Sequence, residues 1–236
     1  MKQKFLKCES DRCEVLADDF FSHAVGNAHK SRFNNVIADV VRVYPDAILI
    51  GAIAAAKYIR PPVEPRMTYD VDILLPEQDF EAFLADDMPP ETVNALESLF
   101  EDSDSAMHSV KHRQTGIYVD FLSVQSKPVK KKLIRQILNH RKQNTHLMKV
   151  GDSIIEIIKP EILIALKLNR HHKNPTSEKG LSDRLDIIKI LKTFNSRCLP
   201  LETSLIESCV TQTEFRRFEH ITADVEYEMT CEPENL

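Results

Sequence analysis

The chain has 236 residues, 36 acidic against 31 basic side chains for a net charge of −5, and 42% hydrophobic residues. This is an ordinary globular composition, long enough to bury a core without disulfides or a structural metal. It excludes bulk disorder and a surface given over wholly to nucleic acid. The longest uncharged apolar run, residues 47–56 between Asp46 and Lys57, falls well short of the ~20 residues that cross a bilayer, so no membrane partner is expected. The opening residues lack a secretory signal, and five cysteines without a C-x-x-C pair fit reduced thiols. Both observations predict a cytoplasmic location. With five glycines in all, neither G-x-x-x-x-G-K-[ST] nor G-x-G-x-x-G occurs.

Residues 1–30 are mixed and weakly periodic, and are expected to form an N-terminal segment of unassigned structure. From Phe33, the apolar positions Val36, Ile37, Val40, Val41 and Tyr44 recur at helical spacing until Pro45 stops the helix. Ala47-Ile48-Leu49-Ile50 reads as a buried strand that passes through Gly51 into the small-residue stretch 52–56, where backbones can approach closely. Pro61, Pro62 and Pro65 stiffen the following loop, and residues 69–75 then alternate acidic and apolar as a strand does. Phe80, Phe83 and Leu84, then Val93, Leu96, Leu99 and Phe100, predict two short helices around Pro89-Pro90, with an acidic turn over 101–104. Strands are expected over 106–111 and 117–124 with Gly116 between them, and over 147–150 and 154–158 around Gly151-Asp152. Pro160 opens a helix over 161–169, and a second helix covers 183–194. Residues 224–234 hold five acidic side chains and no basic one, and are expected to fray into solvent. The expected organisation is thus a segment 1–30, a core 31–158, a helical module 159–222 and an acidic tail 223–236.

The chemistry concentrates in three carboxylates. Asp70 and Asp72 lie two apart in an apolar strand, so both side chains share one face while Val71, Ile73 and Leu75 take the other. Their Cα atoms would be about 6.6 Å apart. Two ions ~3.5–4 Å apart, the spacing of two-metal phosphoryl-transfer sites, could be straddled from there. Asp120, inside Ile117-Tyr118-Val119-Asp120-Phe121-Leu122, is a charge in another apolar strand, a position that demands a partner or a metal. A strand end reaching solvent would explain Asp70 and Asp72 equally well on the pair alone. The second D-x-D, Asp102-Ser103-Asp104, lies in a polar stretch and reads as surface.

Taken with Leu49-Ile50-Gly51-Ala52-Ile53-Ala54 and Arg66-Met67-Thr68-Tyr69, these residues resemble the nucleotidyltransferase superfamily that includes DNA polymerase beta. The nearest likeness is to small bacterial proteins with a G-G-x-A … R-x-T-x-D-h-D-h pattern (h, apolar), a group that includes the AbiEii-type toxins and also carries C-terminal helices like 163–168 and 183–187. The resemblance spans roughly residues 47–191. It implies an α/β (α+β) fold, a twisted mixed sheet backed by helices, with a C-terminal helical module. It further implies two Mg²⁺ ions as cofactors: Asp70 and Asp72 would bind the one holding the β- and γ-phosphates of an NTP, and Asp70, Asp72 and Asp120 the one that activates an acceptor hydroxyl. Gly51, Ala52, Arg66, Thr68 and Lys167 would form the nucleotide-binding set. Ala52 departs from the family's Gly or Ser, losing a hydroxyl and adding a Cβ that penalises positive φ. Arg66 could contact phosphate or pair with a carboxylate. Lys167, in a helix apolar nearly all round, could reach phosphate or pair with Asp183 and Asp186.

The expected activity is transfer of a nucleoside monophosphate to a hydroxyl on RNA, protein or a small molecule. The alternative is a degenerate binding or regulatory module of the same fold, the toxin or partner half of a two-protein system. A third reading is a metal-dependent phosphoesterase. Residues 121–151 carry eight Lys or Arg and no Asp or Glu. Leu133, Ile134, Ile137 and Leu138 give this stretch an apolar stripe, so the basic segment 127–149 reads as the exposed face of an amphipathic helix, or as an RNA surface. None of the nine histidines forms H-E-x-x-H, and no G-x-S-x-G elbow occurs.

Overall fold

The computed structural model of the chain describes residues 27–65, 68–103, 108–126, 130–150 and 152–231. The first helix, α1 (Asn27–Val43), leads into β1 (Ile48–Ile50), α2 (Gly51–Tyr58), β2 (Asp70–Leu74), α3 (Glu77–Ala85) and α4 (Pro90–Leu99). Then come β3 (Phe100–Asp102), β4 (Ser109–His112), β5 (Tyr118–Leu122), α5 (Lys131–Asn139), α6 (Arg141–Asn144), β6 (Thr145–Val150) and β7 (Ser153–Ile158). The chain closes with α7 (Pro160–Lys173), α8 (Glu178–Ser196), α9 (Thr203–Cys209) and α10 (Gln212–Cys231). No helix among the described residues is long and apolar enough to cross a membrane.

The contacts divide the chain into two compact units: Met1–Lys57 with Met67–Ile158, and Tyr58–Arg66 with Lys159–Leu236. In the first unit a seven-stranded mixed sheet runs β3-β4-β5-β2-β1-β7-β6. β2 is parallel to β5, β1 is parallel to β7, and β1 is antiparallel to β2. Alternation along β2 and β5 sends Val71, Ile73, Val119 and Phe121 into the core, each essentially inaccessible to water. The rings of Tyr44 and Phe83 pack edge-on against Phe121 at 5.3 and 5.0 Å. On the opposite face of these two strands Asp70, Asp72 and Asp120 are only partly buried. The basic stretch does form an amphipathic helix: α5 buries Leu133, Ile134 and Ile137 and exposes Lys131, Lys132 and Arg135. Part of its positive charge is neutralised locally, since Arg141 lies 2.8 Å from Asp46 and 3.1 Å from Glu156.

The second unit is built from α7 to α10 around Ile162, Leu163, Leu168, Ile187, Ile190, Ile206, Phe218 and Ile221. The Ser177 hydroxyl caps α8 by accepting from the Gly180 amide at 3.1 Å.

Two expectations need correction. The acidic turn at 101–104 starts instead as strand β3, because Phe100 is buried and Glu101 sits opposite Lys111, forming a 3.1 Å ion pair. Residues 224–231 do not fray; they continue α10. Phe218, Ile221 and Val225 keep a buried stripe at helical spacing, and the acidic positions lie outside it, where Arg184 reaches Asp224 and Lys192 reaches Glu228 at 3.1 and 3.0 Å.

Candidate active site

The register of the middle strands assembles the carboxylates. Asp72 pairs with Asp120 across the parallel β2–β5 ladder and with Ile50 across the antiparallel β1–β2 ladder, and Asp70 pairs with Tyr118. Partners directly across a ladder point to the same side, so Asp70, Asp72 and Asp120 share one face. All three are half-buried, while the residues between them are fully buried beneath. Asp70 is the first residue of β2, as the strand-end alternative has it, whereas Asp72 is the middle residue of that strand, flanked by β1 and β5.

Hydroxyl groups hold two of the carboxylates. Thr68 Oγ1 donates to Asp70 Oδ1 at 2.5 Å, and Ser109 Oγ donates to Asp120 Oδ1. Ser109 escapes a reading by motif, because it becomes relevant only as the cross-strand partner of Asp120 in the β4–β5 hairpin. The hairpin turn at Gly116, with φ of 71°, is the sequence signal that would have aligned the two. Asp72 is fixed by its environment. Gly51, with φ of 73° at the start of α2, packs so tightly on it that a Cβ there would lie 1.8 Å from Asp72 Oδ2. The glycine is required twice over, for its left-handed backbone and for the space. Its amide end of α2 carries the positive pole of the helix and no acidic residue in the first turn.

The expectation that Ala52 suffers a positive φ is not met. Ala52 lies within α2 and is buried, and the positive-φ non-glycine residues among those described are Asp86 and Cys198. Its Cβ carries no backbone penalty; what is lost relative to serine is the hydroxyl alone. Arg66 lies outside the described residues. Lys167 belongs to the second unit and takes the pairing alternative: the residue is 5% exposed, and its ammonium donates to Asp183 Oδ1 at 3.1 Å and Asp186 Oδ2 at 2.8 Å. Burial lowers its pKa, but the charges and hydrogen bonds of Asp186 and Asp183 outweigh that effect and hold it above the ordinary lysine value.

The carboxylates suit a hard divalent cation in chemistry and in backbone placement. As they stand, however, no three His, Cys, Asp or Glu side chains among the described residues converge to enclose a metal ion. Holding one would require Asp70, Asp72 and Asp120 to turn towards one another, a rotation that strand side chains at a half-exposed surface can make while Asp70 and Asp120 each keep a hydroxyl partner at Oδ1.

No family model matches the chain, and no curated protein matches it either. Among solved structures, an antigenic nucleotidyltransferase-like protein from Paracoccidioides brasiliensis is similar, with a TM-score of 0.57 over 86% of this chain and 93% of that one, at 17% identity. At that identity the likeness is one of fold. The chain has a nucleotidyltransferase-like α/β fold: a mixed sheet backed by helices, with a helical C-terminal part.

Proposed function

We propose that the chain is a nucleotidyltransferase, transferring a nucleoside monophosphate from an NTP to a hydroxyl acceptor. The observation that carries this reading is the placement of Asp70, Asp72 and Asp120 on one face of adjacent parallel strands, beside the glycine that opens α2, in a fold shared with a nucleotidyltransferase-like protein. In the reaction the acceptor oxygen attacks the α-phosphorus in line. The bond from that phosphorus to the β-phosphate oxygen breaks, pyrophosphate leaves, and the hydroxyl proton passes to Asp120 or to water.

Each residue then has a task. The α2 amide end at Gly51 would receive phosphate oxygens, where backbone N–H groups and the helix dipole favour negative charge. Asp70, Asp72 and Asp120 would hold Mg²⁺, which when bound neutralises the triphosphate and makes the acceptor hydroxyl more acidic. Thr68 and Ser109 would orient Asp70 and Asp120, a supporting role like that of hydrogen-bond partners behind metal ligands. Lys167, bound to two aspartates, serves the helical module rather than the nucleotide.

A second reading, a non-catalytic binding module of the same fold and the partner of another protein in a toxin–antitoxin pair, is favoured by the separated carboxylates and by the absent hydroxyl at Ala52. Titration calorimetry with each NTP and Mg²⁺ separates the two. An NTP that binds the wild type and fails to bind Asp70→Asn/Asp72→Asn supports the transferase. Absence of binding with every NTP supports the module.

A further inference from the structure

The two edges of the sheet differ. At one end lies β3, three residues long with Glu101 and Asp102 in it, and brevity and charge are what keep an edge strand from pairing with another chain. At the other end lies β6, which pairs with β7 along all six of its residues, from Thr145 against Ile158 to Val150 against Ser153, without a bulge. Having a neighbouring strand on one side alone, β6 points alternate backbone N–H and C=O groups away from the sheet. Its sequence has no proline, no acidic residue and a single lysine, Lys149.

The strand is fixed on one face and bare on the other. Met148 and Val150 lie in the core with Ile155 and Ile157 of β7, each at most 2% exposed. On the opposite face Leu147 is 47% exposed and Ile154 56%. Leu147 stands across from Glu156, and Lys149 across from Ile154, so the two apolar side chains form one diagonal of a square and the lysine and glutamate the other. Glu156 is held in place by Arg141 and Thr145 Oγ1, at 3.1 and 2.8 Å. An apolar diagonal crossed by one cation and one anion is complementary to itself under a two-fold rotation.

We propose that β6 pairs antiparallel with β6 of a second copy of this chain, about a two-fold axis at Met148, so that the two sheets join into one. Under that rotation one row across both hairpins reads Ile154, Lys149, the second copy's Leu147 and the second copy's Glu156, and its mirror row reads the same. Each Lys149 stem covers a leucine while its ammonium reaches towards the glutamate beyond, about 10 Å away by strand spacing. The neighbouring registers lack this match. An axis at Lys149 sets two lysines opposite each other, and an axis at Leu147 sets Lys149 against Thr145 in a row without an anion. Six residues of backbone and two apolar side chains from each copy make a small interface, so the dimer should form at micromolar concentration. The inference stands independently of the transferase reading.

Sedimentation velocity on the full chain from about 1 to 200 μM tests the pairing, and the wild type should pass from monomer to dimer within that range. Leu147→Lys sets lysine against Lys149 twice in the dimer and should weaken it about 5- to 30-fold, with an unchanged circular dichroism spectrum because Leu147 is exposed. Leu181→Lys, at an exposed leucine of α8, should dimerise like wild type. Cross-linking reads the register. Leu147→Cys mixed with Lys149→Cys should yield a disulfide joining the two positions under mild oxidation, identified by mass spectrometry of the linked peptides. Either variant alone should not link at its new cysteine, because like positions then stand two rows apart, beyond disulfide reach. A monomer throughout the range overturns the proposal and leaves the edge to a different chain. A dimer weakened by Leu181→Lys and not by Leu147→Lys, or a dimer whose mixed cysteine variants do not link, overturns it as well.

Discussion

Replacing Gly51 by alanine tests the geometry of the site most sharply among single changes. The added Cβ would sit 1.8 Å from Asp72 Oδ2 and 2.5 Å from its carboxyl carbon, whereas real Cβ contacts scarcely fall below 3.0 Å. The Asp72 carboxylate must therefore retreat by more than an ångström or the start of α2 must move. The backbone contributes separately, because φ of 73° lies in the left-handed region, at about 1–2 kcal/mol for a residue with a Cβ. Forcing Asp72 off its rotamer adds about 0.5–1.5 kcal/mol, so urea unfolding should show a loss of about 1.5–3.5 kcal/mol. Displacement by an ångström at a reacting centre is worth about 10²-fold in rate, so nucleotide transfer should fall by at least that factor in protein that remains folded by circular dichroism. Ala52→Gly, one residue on and free of any positive φ, should lose only the roughly 1 kcal/mol that glycine costs within a helix. A Gly51→Ala protein with wild-type stability and transfer would refute the contact with Asp72 and the role assigned to it.

Other expectations concern the groups around and beyond the site. Lys167→Met leaves Asp183 and Asp186 buried without their cation and should destabilise the protein by about 3–5 kcal/mol in urea titrations. Because the Lys167 pKa is raised in the folded chain, its stabilisation is fully present below the ordinary lysine value and disappears as pH climbs through the raised one. The stability gap between wild type and Lys167→Met, measured from pH 8 upward, should accordingly stay constant and then narrow only above about pH 10.5. Ser109→Ala removes the donor to Asp120 and should alter stability by no more than about 1 kcal/mol while lowering transfer; full retention of transfer would deny Ser109 its orienting role. His112, 1% exposed, lies 3.0 Å from Asp39 and 2.9 Å from Thr115. His112→Leu should cost about 1–3 kcal/mol in thermal or urea unfolding, because Asp39 and Thr115 each lose a buried partner and keep, among the described residues, only Arg42 and the Ile117 amide.

Much of the fold was legible because period and punctuation agreed. Phe33 to Tyr44 repeated at helical spacing and ended at a proline, and the alternation from Asp70 to Leu74 gave a strand with its two carboxylates on one side. What escaped did so for physical reasons. In β3, charges at Glu101 and Asp102 masked a strand whose single buried anchor is Phe100. In α10, the run of acidic residues hid a stripe of three apolar positions, since a fray and an exposed helix face have the same composition. At the site, Asp70, Asp72 and Asp120 could be named from residue type in apolar surroundings, yet their adjacency depends on β2 lying parallel to β5, a pairing between segments almost fifty residues apart. Ser109 follows from that same pairing and from the hairpin beside it. Lys167 could be recognised as a buried charge, but which anion satisfies it depends on how α7 meets α8.

The most direct measurement of the central claim is transfer itself. Purified chain is incubated with each α-labelled NTP, Mg²⁺ and a mixture of cellular RNA and protein, beside Asp72→Asn and beside a sample containing a chelator. Label attached to an acceptor by the wild type, abolished in both controls and accompanied by pyrophosphate release, is the predicted result. Undiminished labelling by Asp72→Asn, or release of phosphate with no labelled acceptor, would contradict it.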